Sequence, residues 1–269
     1  MRNLIIGISL SIAFFLTTSC KKNIVSGDLI ITDVNVIDVV NGTTNSNQTI
    51  AIKNDKIYSV TPFSESDEII SETVIDGKGK YMIPALWDMH THYTTSSEHK
   101  GFLKLFIANG VLGVRDLWGD LESRDSLAAS NAIAPTIFLS GAIIDGPFTL
   151  LQGSLQPKTS EEAIRMVDSL HQKGSDFIKV YDDLSVEIYN TIANRCKELQ
   201  IPFAGHVPMS IKAAVASKKG QKSMEHLNGI WKSSTSMEKE IDSLEKVFKY
   251  NFMSGNMPGA INTFTEVNT

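Results

Sequence analysis

A chain of 269 residues with 42% hydrophobic and 20% charged residues can bury a large core, which excludes a disordered protein. A formal net charge of −5 excludes binding to nucleic acid by charge. No block of like charges, tandem repeat or low-complexity tract suggests a tail or an array.

In chain order, the N-terminus comes first. MRN is followed by the apolar LIIGISLSIAFFL and then by TTSC. A basic start, about a dozen apolar residues and small residues before a cysteine read as a secretory signal over residues 1–20, too short for a comfortable membrane span. The cysteine after the small residues resembles a bacterial lipoprotein signal, with Cys20 as the acylated first residue of the mature chain. Thr17 departs from that pattern, which usually carries an aliphatic residue there, and a plain signal peptide cleaved nearby is the other reading. The lipoprotein reading expects an exported protein held to a bacterial membrane by its lipid, on the periplasmic or outer-membrane side, with residues 21–27 as a tether.

Residues 28–80 read as a small β-sandwich-type unit. DLIITDVNVIDVV alternates loosely, QTIAIKNDKIYSV reads as a hairpin around Asn54 and Asp55, and ETVIDGKGKYMI as a strand pair around Gly77-Lys78-Gly79. From residue 81 the rhythm changes to strand, helix, strand. The expected strands are MIPALWDMH, GVLGVRDL, PTIFLSGAI, DFIKVY, IPFAGHV and the short KSMEHL. Between them SEHKGFLKLFIANG, TSEEAIRMVDSLHQKG, SVEIYNTIANRCKELQ and SIKAAVASKKG read as helices, the second with an N-cap at Thr159 or Ser160 ahead of Glu162. This alternation implies an α/β fold with a parallel sheet, open or closed into a barrel. Cys196, the one cysteine besides Cys20, shares a helical stripe with Ile188, Ile192 and Leu199, so it reads as a core residue and not a catalytic thiol.

The polar residues that interrupt the apolar strands fall at similar places. His90 and His92 end the first strand, Lys179 sits in the fourth, His206 ends the fifth and His226 the sixth. Residues two apart on a strand share a face, so His90 and His92 project together; the plain alternative is a turn with two exposed histidines. In a (β/α)₈ barrel the strand ends converge on one mouth, and four imidazoles there suit zinc or another transition metal. In DFIKVY, Ile178 and Val180 face the helices, leaving Phe177, Lys179 and Tyr181 facing inward. A lysine buried there sheds its charge readily, and the neutral amine can take up carbon dioxide as a carbamate whose two oxygens could bridge two metals. The alternative is a lysine that snorkels to the rim.

Taken together, VIDGKGKYMIPALWDMHTH, FIKVY, FAGHV and SMEHLNG resemble the amidohydrolase superfamily, in its imidazolonepropionase-like and prolidase-like branch, over roughly Asp28 to Gly229. The resemblance implies two divalent metal ions, most simply zinc. His90 and His92 would hold one, His206 and His226 the other, and a carboxylated Lys179 would bridge them. It implies hydrolysis of a C–N bond by a metal-activated hydroxide, on a small amide, cyclic amide or dipeptide substrate. Ala85 departs from the family, which usually has glycine there.

The family's proton-transferring aspartate ends an eighth strand, and no such strand is readable here. Residues 81–269 fall short of the roughly 250 that a complete barrel takes. After His226 come the helical MEKEIDSLEKVFKY, with Asp242 on its solvated face, and the Asn/Gly/Thr-rich NFMSGNMPGAINTFTEVNT. The expectation is an incomplete barrel: a fragment of a longer hydrolase, a short protein that has given up catalysis, or a subunit completed by a partner. The first is preferred, and the 269-residue chain is then expected to be poorly active alone. The reading from another class is a noncatalytic surface lipoprotein that binds metal or a small ligand. Arg115, Asp116, Tyr181 and Trp231 could line a pocket or be structural.

Overall fold

The computed structural model describes residues 22–92, 101–130, 132–149 and 151–267. Cys20 with the rest of the signal segment lies outside the described residues, as does the start of the helix expected from residue 97. The chain divides into two compact units, Met1–Pro84 and Ala85–Thr269.

The first unit holds β1 (Ile24–Ser26), β2 (Leu29–Asp38), β3 (Thr43–Lys53), β4 (Lys56–Pro62), β5 (Glu68–Ile70), β6 (Thr73–Asp76) and β7 (Tyr81–Met82). A sheet runs β4-β3-β2-β6 with β7 also paired to β2, and β1 pairs with β5. The β3–β4 hairpin turns on Asn54 and Asp55 at φ 51° and 58°, the left-handed pair that a two-residue turn requires. Ile30, Val34, Ile50 and Ala51 are buried within it. The strand pair expected around Gly77-Lys78-Gly79 does not form. Both β6 and β7 run parallel to β2 instead. Gly77 donates its N–H to Thr32 O at 2.8 Å, and a Cβ there would come within 2.6 Å of Val34 Cβ. The chain thus steps along β2 without folding back, and Met82 belongs to β7 and not to the strand that follows.

The second unit alternates. Its elements are β8 (Leu86–Thr91), α1 (Leu103–Ala108), β9 (Val111–Asp116), α2 (Leu121–Ala129), β10 (Thr136–Leu139), β11 (Ile143–Ile144), α3 (Ser160–Gln172), β12 (Ile178–Val180), α4 (Val186–Glu198), β13 (Phe203–Gly205), α5 (Ala213–Lys218), α6 (Asn228–Ser233), α7 (Glu238–Met253) and α8 (Met257–Val267). All of its ladders are parallel. The expected strand PTIFLSGAI splits at Gly141, which takes φ 73°. Its first part, β10, pairs with β9 and its second, β11, with β12, so one segment joins two ladders into a single series of neighbours. The expected sixth strand is reduced to one bridge, Gly205 to Met224. Gln221 does the work of a ladder there: its buried amide nitrogen lies 3.0, 3.2 and 3.0 Å from the carbonyl oxygens of Gly205, His206 and Ser223. Tyr189 of α4 donates its hydroxyl to the Gln221 oxygen at 2.8 Å.

Local signals set the helix starts. Thr159 accepts from Glu162 N–H, and Glu162 reaches back to accept from Lys158 N–H, a variant of the capping box. Ser185 caps α4 in the same way through Ile188 N–H. The main core packs Ile144, Ile178, Val180 and Phe203 against α3, α4 and α5. Cys196 lies inside it as a free thiol, and burial pushes its pKa up to about 12. On the opposite face of the strands Leu117, Phe177 and Ala204 form an inner layer. Ala85 has no positive φ, so alanine serves there without strain.

Candidate metal centre

The second unit brings together the four histidines and the lysine singled out above, the histidines at or beyond strand ends and Lys179 within β12. His90 is in β8 and His92 follows it, and their Nε2 atoms lie 3.2 Å apart. The ring of His226 is 4.7 Å from that of His90, and the ring of His206 is 5.0 Å from that of His226. Lys179, in the middle of β12, is 1% exposed, with the small Ala204 as its register neighbour on β13. The structure therefore brings His90, His92, Lys179, His206 and His226 to one place. Among the described residues, no group of three or more His, Cys, Asp or Glu donors is already closed around a single point.

The electrostatics follow from this crowding. Desolvation holds His92 down at about 4, helped by His90, Lys179, His226 and His206 around it. The same causes, burial first, lower His226. Burial brings Lys179 down to about 8, against the pull of the Glu225 charge. His92 and His226 held neutral offer lone pairs, and the lowered Lys179 has a larger share of free amine than an ordinary lysine.

Two carboxylates, neither singled out from the sequence, orient the imidazoles. Glu225, 8% exposed, places Oε2 2.8 Å from His90 Nδ1, and Asp182 places Oδ1 2.8 Å from His206 Nδ1. A carboxylate only accepts, so each Nδ1 carries the proton and each Nε2 is left as the donor atom for a cation. Arg115, near the end of β9, spans to Glu225 with Nη2 2.6 Å from Oε1, while its Nη1 reaches Ser223 Oγ at 2.7 Å and its Nε reaches Met89 O at 2.7 Å. Ser223 Oγ donates to the same Glu225 oxygen at 2.6 Å. Burial raises the Glu225 carboxyl, but the bonds from Ser223 and His90 and the Arg115 charge outweigh it and leave the pKa lowered. His226 and Leu227 both take left-handed backbone, φ 59° and 61°, a strained pair that the surrounding contacts must hold.

The remaining sequence candidates separate clearly. Tyr181 stacks on His206 at 4.0 Å, and burial pushes its hydroxyl up to about 12. Asp116 is fully buried and accepts from Trp118 N–H. Trp231 lies on α6, 41% exposed. Asp242 is not a merely solvated residue: it pairs with the buried Lys232 at 2.8 Å.

The donor set fits a metal. Two imidazole nitrogens on one tetrahedral zinc, each about 2.0–2.1 Å from it, sit about 3.3 Å apart, close to the His90–His92 separation. A histidine ligand ordinarily gives its second N–H to a carboxylate, as His90 and His206 do here.

Comparison with known structures concerns the fold. A bottromycin amidohydrolase superposes with a TM-score of 0.62 at 23% identity, over 81% of this chain and 47% of that one. A prolidase complexed with N-methylphosphonate-L-proline gives 0.64 at 19% identity, over 78% of this chain and 64% of that one. The fold is shared with these structures, which are members of the amidohydrolase superfamily. In sequence, an adenine deaminase of Clostridium perfringens, from the same superfamily, is 28% identical over 160 residues, covering 53% of this chain and 27% of the deaminase. The chain thus spans less than two thirds of each of these proteins. No protein-family model matches it.

Proposed function

We propose that this chain forms the metal-binding part of an amidohydrolase that cleaves a C–N bond in a small amide, cyclic amide or dipeptide. The observation that carries the reading is the convergence of four imidazoles and one buried amine, with two of the imidazoles backed by carboxylates. We read the strand positions of the second unit as the first six of a (β/α)₈ barrel, so that these groups face its mouth. His90 and His92 would hold one divalent ion and His206 and His226 a second, zinc in each case, with Lys179 as its carbamate between them. When bound, such a pair supplies a hydroxide near neutral pH and polarises the scissile carbonyl. The residues present do the rest of the preparation. Glu225 and Asp182 fix the tautomers of His90 and His206, Arg115 and Ser223 fix Glu225, and burial keeps the Lys179 amine ready to react with carbon dioxide. By the family resemblance, proton transfer to the leaving nitrogen falls to an aspartate on an eighth strand.

The test is to load the chain with zinc in ¹³C-bicarbonate and to read metal content, the carbamate carbon by NMR, and turnover of an amide panel. Two zinc ions and one carbamate carbon per chain are expected. Lys179→Ala should lose the carbamate signal and about one metal, and His90→Ala about one metal. A Lys179→Ala chain with unchanged metal content would sink the bridged reading.

We also propose that the protein is exported and anchored through Cys20. Expression in a bacterium fed a radiolabelled fatty acid should label the wild type and leave Cys20→Ala unlabelled. Equal labelling of both would rule the anchor out.

A further inference from the structure

The segment that carries Asp182 joins β12 to α4, and neighbouring segments grip it from outside. The Asp182 side chain is 42% exposed, so packing alone does not fix its direction. Its backbone does. The peptide unit between Asp182 and Asp183 is held at both polar atoms: Met209 N–H donates to Asp182 O at 2.9 Å, and Asp183 N–H donates to Asp145 Oδ1 at 2.8 Å. Fixing that rigid plane fixes the backbone from which the Asp182 side chain departs. Asp145 follows β11 directly and is 1% exposed. The same Oδ1 accepts from Gly146 N–H at 2.8 Å. Gly146 brings the two segments so close that a Cβ there would fall 1.8 Å from Asp183 O. The carboxyl is costly to keep in this place, because burial raises its pKa despite the bonds from Thr149, Asp183 and Gly146.

We propose that Asp145 is a positioning residue for the metal centre: it sets Asp182 through the Asp183 N–H, and through Asp182 the tautomer and ring orientation of His206. The link to metal rests on the function proposed above; the link to the His206 tautomer does not. The contacts are continuous, from Asp145 Oδ1 to Asp183 N–H, along one peptide to Asp182, and from Asp182 Oδ1 to His206 Nδ1 at 2.8 Å. The Asp183 carboxylate cannot take over, because it already accepts from Phe148 N–H at 2.8 Å and from Lys249 at 2.6 Å. What the role needs is an acceptor at Oδ1, not a charge. Asparagine supplies that acceptor and alanine does not.

The experiment reads the ¹⁵N shifts of His206 and His90 in the metal-free, full-length chain. It compares the wild type, Asp145→Asn, Asp145→Ala and, as the reference for lost orientation, Asp182→Ala. The wild type and Asp145→Asn are expected to show His206 protonated at Nδ1. Asp145→Ala is expected to move toward the tautomer mixture of Asp182→Ala, with His90 unchanged. Its zinc affinity should fall about three- to tenfold, short of the ten- to hundredfold for losing an orienting partner itself. The proposal is overturned by an unmoved His206 in folded Asp145→Ala, by a shift as large in Asp145→Asn, or by full zinc affinity with the tautomer moved. If Asp145→Ala does not fold, amide exchange at Asp183 decides: slow exchange in the wild type and in Asp145→Asn is expected, and exchange as fast as an exposed loop amide overturns the proposal. A wild type that takes up no zinc, or turns over no amide, counts against the proposed function and leaves the tautomer result standing.

Discussion

Gly205→Ala is expected to destabilise the chain by about 4 kcal/mol or more, against about 1–2 kcal/mol for Gly220→Ala. Both glycines have positive φ, +137° and +93°, so both substitutions strain the backbone. They differ in surroundings. A Cβ on Gly220 meets nothing within 4 Å, whereas on Gly205 it would fall 2.0 Å from Val180 O and 2.9 Å from Val180 N. Those atoms belong to β12, whose Ile178 and Val180 are fully buried in the main core and cannot retreat. The clash therefore has to be relieved by separating β13 from β12, which also carries away His206, whose N–H bonds Val180 O at 3.1 Å. Urea unfolding of the two variants measures the difference. Equal losses would show that backbone strain, and not the close approach of the strands, sets the cost.

Glu225→Gln is expected to weaken zinc binding by about ten- to a hundredfold, and to cost about 1.5–3 kcal/mol of stability because the Arg115 guanidinium loses its charged partner. The change keeps the volume and removes one acceptor. At present Oε1 takes bonds from Arg115 and Ser223 while Oε2 takes the His90 proton. A glutamine can present oxygen to only one side. Two donors outnumber one, so its oxygen would face Arg115 and Ser223 and its NH₂ would face His90 Nδ1. His90 would then have to accept at Nδ1 and carry its proton at Nε2, the atom offered to the metal. ¹⁵N shifts of His90 in zinc-free protein report the tautomer directly, and zinc competition with a chelator reports the affinity. An unchanged tautomer, or full affinity with the altered one, would show that Glu225 merely fills space. Arg115→Met is the companion test. It leaves a buried carboxylate short of a charge-assisted hydrogen bond and should cost about 1.5–3 kcal/mol of stability.

The contrast between these two residues and the histidines shows what a sequence can carry. His90, His92, Lys179, His206 and His226 are readable because each is a lone polar side chain against an apolar strand, and such an interruption needs a reason. Glu225 and Asp182 carry no such mark. A carboxylate beside a histidine is ordinary in a loop, and its meaning arises only when the sheet lays it against a ring nitrogen. The same holds for Gln221, whose partners sit on β13 and α4. Helix α2 has little apolar stripe and buries only Leu121, so little in the sequence marks it, and α8 lies in a segment rich in Asn, Gly and Thr. The sixth strand is reduced to a single bridge: Lys222 N–H bonds Phe203 O and Gly205 N–H bonds Ser223 O, but the Gln221 amide takes the Gly205 and His206 carbonyls, and the backbone turns left-handed at 226 and 227.

His90 and its orienting Glu225 stand 135 residues apart in the chain, with Lys179 and His206 between them. In the unfolded polypeptide these groups are scattered, and no short segment retains more than the His90–His92 pair. Any cation that needs the full set therefore recognises only the folded protein and must shift the folding equilibrium by mass action, the more so the higher its free concentration. It follows that the supply of metal, and not sequence alone, would set how long each copy of this protein survives proteolysis, and that a cell short of the ion would hold less of the protein as well as less of its activity.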